Sequence, residues 1–173
     1  MRSLKSWVLL ALIAATAFVS QIALASLPNV ELVTLWFLII AQFITWKESL
    51  IVVFIFSILE ALVWGFGDWV IAYLWIWSLW MILIQALKPL FKQNEQAWAL
   101  LSALFGLSFG LLFSIQYALI YGLHMGIIYW MRGLLFDLIH ATANYILVIL
   151  LYKPIYKVVL KLMGKWKINE HHN

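Results

Sequence analysis

A chain of 173 residues that is 66% hydrophobic, only 10% charged and +1.03 in mean hydropathy carries more apolar surface than a soluble domain of its size can bury. A net charge of +4 and a pI near 9.4 would suit a nucleic-acid partner in a soluble protein, but in so apolar a chain the placement of the lysines matters more than their sum, and no nucleic acid is expected. The absence of cysteine excludes disulfides, thiol catalysis and thiolate metal sites.

The apolar runs are about 20 residues long, the length an α-helix needs to cross roughly 30 Å of hydrocarbon, and short polar breaks separate them. They predict an all-α integral membrane protein with six transmembrane helices, forming one membrane domain over residues 1–173. The first span, Trp7 to Ala25, follows Arg2 and Lys5 and ends in Ala23-Leu24-Ala25, like a signal peptide. It is nevertheless long enough to span, and its inner half carries the small residues Ala11, Ala14 and Ala15. The second, Val30 to Thr45, is introduced by Pro28 and Asn29 and has Glu31 at its mouth. The third, Leu50 to Phe66, follows Lys47-Glu48 and holds Glu60 and Trp64, while the turn Gly65 to Asp68 leads into the fourth, Trp69 to Leu87. There Trp69, Tyr73, Trp77 and Trp80 form an aromatic stripe at helical spacing. The fifth, Ala97 to Tyr121, carries Ser102, Gly106, Gly110, Ser114, Ala118, Gly122 and Gly126 every four residues, a pattern that lets helices pack closely in lipid. An outer loop from His124 to Gly133 precedes the sixth, Leu134 to Leu160, whose tail sets Lys153, Lys157 and Lys161 on one face toward anionic headgroups.

With the N-terminus inside, ten of the eleven Lys and Arg residues fall on the inner side: Arg2, Lys5, Lys47, Lys88, Lys92, Lys153, Lys157, Lys161, Lys165 and Lys167, against Arg132 outside. Both termini are therefore expected in the cytoplasm. Asn29, Glu31, Glu60, Asp68, His124, Arg132, Asp137 and His140 then gather toward the outer side, and ionisable groups in hydrocarbon point to function. Trp130, Gly133, Asp137, His140 and Asn144 would share one face of a continuous helix, and Glu60 shares a face with Trp64. Carboxylates, an imidazole, an amide and indole walls suit a flat, partly polar small molecule. Asp137 and His140 could instead neutralise each other, pair with Arg132, or serve as the acid/base pair of an intramembrane enzyme, although no nucleophile accompanies them. Nothing in the spacing demands a metal, and His171 and His172 read as a solvated tail. A self-contained secondary transporter would be expected to show duplicated halves, and none is visible.

Four stretches together resemble the substrate-binding S components of energy-coupling factor (ECF) transporters, the vitamin importers of bacteria and archaea: Ala11-x-x-x-Ala15, "LPNVELVT" at 27–34, "EALVWGFG" at 60–67 and "FDLIHATANYILVILLYKPIY" at 136–156. The resemblance implies a multi-pass protein of a prokaryotic cell membrane that is not itself an enzyme. It would capture a vitamin near the outer face and dock through Ala11, Ala14 and Ala15 on a membrane scaffold subunit bearing two cytoplasmic ATPases. No cofactor would be bound by this chain; ATP would be used by the partners. The substrate site would draw on Asn29, Glu31, Glu60, Trp64, Asp68, Trp69, Tyr73, His124, Trp130, Asp137, His140 and Asn144. Leu135 stands where related sequences carry a proline, which leaves the subfamily, and so the vitamin, open: thiamine or its precursors, a corrinoid, or another.

Overall fold

In the computed structural model, which describes residues 4–170 and side chains through 164, six helices follow one another without any strand among the described residues. They are α1 (Leu4–Leu24), α2 (Val33–Ile40), α3 (Trp46–Trp64), α4 (Asp68–Phe91), α5 (Glu95–Tyr121) and α6 (Leu123–Glu170). Arg2, His171 and His172 lie outside the described residues. Four helices, α1, α4, α5 and α6, are long and apolar enough to cross a membrane, which fits a multi-pass protein embedded in one. The 19-residue α3 also has the length to cross, but Lys47 and Glu48 at its start and Glu60 within it make it more polar.

Local chemistry sets the helix ends. Thr45 and Glu48 form a reciprocal capping box at the start of α3, with the Thr45 N–H donating to Glu48 Oε2 at 2.7 Å. Asn94 Oδ1 accepts the Gln96 and Ala97 N–H groups at 3.1 and 3.2 Å and so opens α5. Gly122, at φ +91°, turns the chain from α5 into α6 in a single residue, in a region where a side chain would be strained. Ser102, Gly106, Gly110 and Ser114 are buried, and the Gly106 backbone lies so close to α6 that an added Cβ would sit 2.9 Å from the Ala141 nitrogen. The opposite face of α5, with Leu104, Leu107, Leu111 and Ile115, is exposed and left to lipid.

Two elements depart from the sequence-based expectation. The span expected at Val30 to Thr45 is an eight-residue helix, about 12 Å long and well short of a bilayer core. Because α2 is apolar all round, it sits in the middle of the bundle, with Phe37, Leu38 and Ile39 fully buried. Residues 41–44 tighten into turns, and side chains of other helices take up the carbonyls freed there. Lys88 Nζ donates to the Gln42 carbonyl, and Gln85 Nε2 donates to the Ile44 carbonyl at 3.1 Å. The second departure is the loop expected at His124 to Gly133, which is the first part of a 48-residue α6. Gly126 lets that part lie against α5: a Cβ there would come within 2.6 Å of the Ala118 Cβ. At about 72 Å, α6 is more than twice the thickness of a bilayer core.

Candidate functional site

One end of the bundle gathers the C-terminal turns of α1, α3 and α5, the N-terminal parts of α4 and α6, and the segment 25–32 that leads into α2. Two cavities open there, of about 320 and 490 Å³, and Asn29, Tyr73 and Phe109 border both. Asn29 holds a left-handed conformation, φ +56°, that a short amide side chain tolerates.

The first cavity lies among α1, α3, α4, α5 and α6, with Gln21, Glu60, Trp64, Trp69, Tyr73, Trp77, Phe109, His140 and the segment Leu27 to Glu31 on its walls. The α4 stripe turns inward: Trp69 meets Tyr73 edge-on at 5.1 Å, and Tyr73 meets Trp77 at 6.0 Å. One turn deeper, Trp80 is sealed in the core and its indole N–H donates to the Thr34 carbonyl at 3.1 Å. Glu31 lines this cavity, yet both its oxygens are occupied. Oε2 accepts the Thr34 N–H at 2.9 Å, satisfying a free donor at the start of α2, and Oε1 takes the Thr34 hydroxyl and faces His140 Nε2 at 3.1 Å. Asn144 supports this cluster from below, its amide 3.3 Å from Thr34 Oγ1 and 3.4 Å from the Ser102 carbonyl.

Glu60 is different. It is 1% exposed, and its Oε1 has no hydrogen-bond partner. Gln21 Oε1 and the Trp77 indole N–H are also buried and unpartnered, and all three residues border the first cavity. Buried polar atoms are rarely left so, because each costs about 1–3 kcal/mol unless something completes it.

The second cavity is lined by α5 and α6 together with Tyr73 of α4 and Asn29, and has Phe113, Tyr117, Tyr129, Arg132 and Asp137 among its walls. Asp137 is 4% exposed; Oδ1 accepts the Gly110 N–H at 2.9 Å, and Oδ2 has no partner. Asp137 and His140 thus turn to different partners, α5 and Glu31, instead of pairing with each other. Tyr117 and Tyr129 stack at 4.3 Å beside them.

Of the twelve residues expected to bind substrate, seven border the first cavity: Asn29, Glu31, Glu60, Trp64, Trp69, Tyr73 and His140. Asp137 borders only the second. The other four border neither. Asp68 ties α4 to α5, accepting the Tyr121 hydroxyl at 3.0 Å while its carbonyl accepts Gln116 Nε2 at 2.6 Å. His124 and Trp130 are exposed, because the segment expected as a loop is helix and turns them outward. Asn144 lies beneath the site and positions it. Gln21, Trp77, Phe109 and Tyr129 were not foreseen as wall residues: Trp77 was visible in the α4 stripe, whereas the others face the site only through the packing of distant segments. Among the described residues, no group of three or more His, Cys, Asp and Glu side chains is placed to hold a metal ion. On α1, Ala11 is exposed, Ala15 half-buried and Ala14 buried in the core, so of the three alanines expected at a docking surface Ala14 packs inside this chain.

No protein-family model matches this chain, and no curated protein or solved structure matches it.

Proposed function

We propose that this protein is the substrate-binding subunit of an ECF-type importer in a prokaryotic cell membrane, capturing a vitamin-like small molecule at the outer face. The observation that carries the reading is the first cavity, where polar atoms from α1, α3 and α4 are buried without partners beneath an aromatic wall. Such groups are costly in a finished structure and useful in a binding site. The position of the cavity supports the outward orientation. It lies at the bundle end away from the start of α1, and the described lysines Lys5, Lys47, Lys88, Lys92, Lys153, Lys157 and Lys161 all lie toward the other end. On this reading the chain crosses six times with both termini cytoplasmic, and the short α2 is tolerated as a broken pass because protein, not lipid, surrounds it. An acid/base enzyme is less well supported, since Asp137 and His140 are engaged with different partners.

The chain would hydrolyse no ATP itself and would dock on a scaffold subunit that carries two ATPases. Ala11 and Ala15, the accessible members of the α1 stripe, are the contact surface on this reading. The test is to replace both with tryptophan. Ligand carried through purification, identified by mass spectrometry, should still be bound, while co-purification with scaffold and ATPases and uptake by cells should both be lost. Uptake that survives the double substitution, or a wild-type chain that never associates with ATPases, would remove the reading.

A further inference from the structure

The unpartnered atoms of the first cavity form a pattern that specifies chemistry. Glu60 Oε1 and Gln21 Oε1 are acceptors awaiting donors, and the Trp77 indole N–H is a donor awaiting an acceptor. Glu60 is also an ionisable group. The cavity is bordered by two carboxyl groups, Glu31 and Glu60, and by no lysine or arginine; Glu31 is already engaged by Thr34 and His140, whereas Glu60 keeps an oxygen without a partner. Around it stand Trp64, Trp69, Tyr73 and Trp77, whose ring faces attract cations, most strongly where water is excluded.

We infer that the first cavity takes an organic cation: a flat nitrogen heterocycle that points N–H groups at Glu60 and Gln21, offers an acceptor to Trp77, and lays its charge against the indole and phenol rings. This inference rests on the reading of the cavity as the substrate site. Three requirements select the class. An anion would be repelled by both carboxylates. A neutral ring could complete the hydrogen bonds but would form no ion pair with the Glu60 carboxylate, the interaction that a low-dielectric site strengthens most. An aliphatic ammonium would supply charge without a face to stack on the wall. The volume of about 320 Å³ suits one small heterocycle.

The second cavity contributes a different group. Asp137 Oδ2 is a further unpartnered acceptor there, and Arg132 also borders that space. The cation is therefore assigned to the Glu60 side, where no basic wall residue competes with it.

A matched series separates charge from shape. 4-Amino-2-methylpyrimidine bearing a 5-aminomethyl, 5-hydroxymethyl or 5-carboxylate group offers the same ring as cation, neutral molecule and anion at neutral pH. Calorimetry on the full chain in detergent should show the aminomethyl compound binding at least tenfold more tightly than the hydroxymethyl one, with no binding of the carboxylate. Glu60→Gln, which keeps the shape and removes the charge, should weaken the cation roughly ten- to a hundredfold and abolish its advantage over the neutral ring. Glu95→Gln, which removes a carboxylate at the opposite end of the bundle, should change nothing. Preference for the neutral or anionic ring, an undiminished cation preference in Glu60→Gln, or binding of none of the three would overturn the assignment. Failure of the importer reading is seen separately: a chain that binds the cation but never associates with ATPases loses that reading and keeps this one.

Discussion

Glu31 and Glu60 are both carboxylates buried at one end of the same bundle, and they do opposite things for the fold. Glu31 closes the open end of α2 and faces His140, so its removal breaks contacts the fold depends on. Glu60 faces a cavity with an oxygen that nothing in the chain completes. In ligand-free protein, Glu31→Gln should therefore lower the melting temperature, by a loss of about 1–3 kcal/mol. Glu60→Leu should leave it unchanged or raise it, because an unsatisfied buried group is replaced by an apolar one of similar size. Thermal unfolding of the two variants side by side checks this, and equal losses in both would mean that the contact of Glu60 with Trp64 holds the fold as firmly as the Glu31 contacts do. The difference was only half legible in the sequence. Glu60 stands out because its sequence neighbours are apolar, and the one polar side-chain contact it makes is with Trp64, a single turn along the same helix. The Glu31 partner Thr34 is three residues away, but His140 is 109 positions on, and only the packing of α2 against α6 brings them together.

The six helices were readable from apolar length and polar breaks, and the α5 stripe marked a close-packed face before any coordinates. What escaped was where α2 stops and where α6 begins. An apolar run from Val30 to Thr45 looks continuous because hydropathy registers no difference between a helix and a buried turn. The turn at 41–44 is possible because Lys88 and Gln85 of α4 satisfy its carbonyls, and Tyr152 of α6 donates to Gln42 Oε1 at 3.2 Å. Likewise, glycines and polar residues at 124–133 read as loop, when Gly126 is instead the gap that lets a continuous α6 approach α5. The glycines of this hairpin can be told apart by what surrounds them. A Cβ at Gly110 would lie 2.5 Å from Asp137 Oδ2 and 2.7 Å from Oδ1, whereas one at Gly133 would meet nothing within 4 Å. Gly110→Ala should displace Asp137 and cost about 1–3 kcal/mol, and Gly133→Ala should be neutral or slightly stabilising, since alanine favours helix over glycine. Melting temperatures of the two variants test the pairing, and a tolerated Gly110→Ala would show that the hairpin is looser than its backbone spacing indicates.

For the whole molecule the decisive question is which way the cavity faces. The lysine asymmetry, read from sequence, and the position of the cavity at the other end of the bundle come from different residues, and together they support the proposal that the site faces outward. Four helices have the length and apolarity to cross, and the argument for α3 as a fifth rests on geometry: its capping box and its Glu60 lie at opposite ends of the bundle, 12 residues and about 18 Å apart. A chain without cysteine permits a direct test, because any single introduced thiol is the only one that can react. Phe66, 70% exposed between α3 and α4, and Gln93, exposed between α4 and α5, mark the two ends. In intact cells a membrane-impermeant maleimide should label Phe66→Cys, while Gln93→Cys should react only after the membrane is opened. The inverse pattern would turn the cavity toward the cytoplasm and end the uptake reading. Labelling of both from the same side would mean that α4 does not cross, which the alternation of every other helix in the bundle depends on.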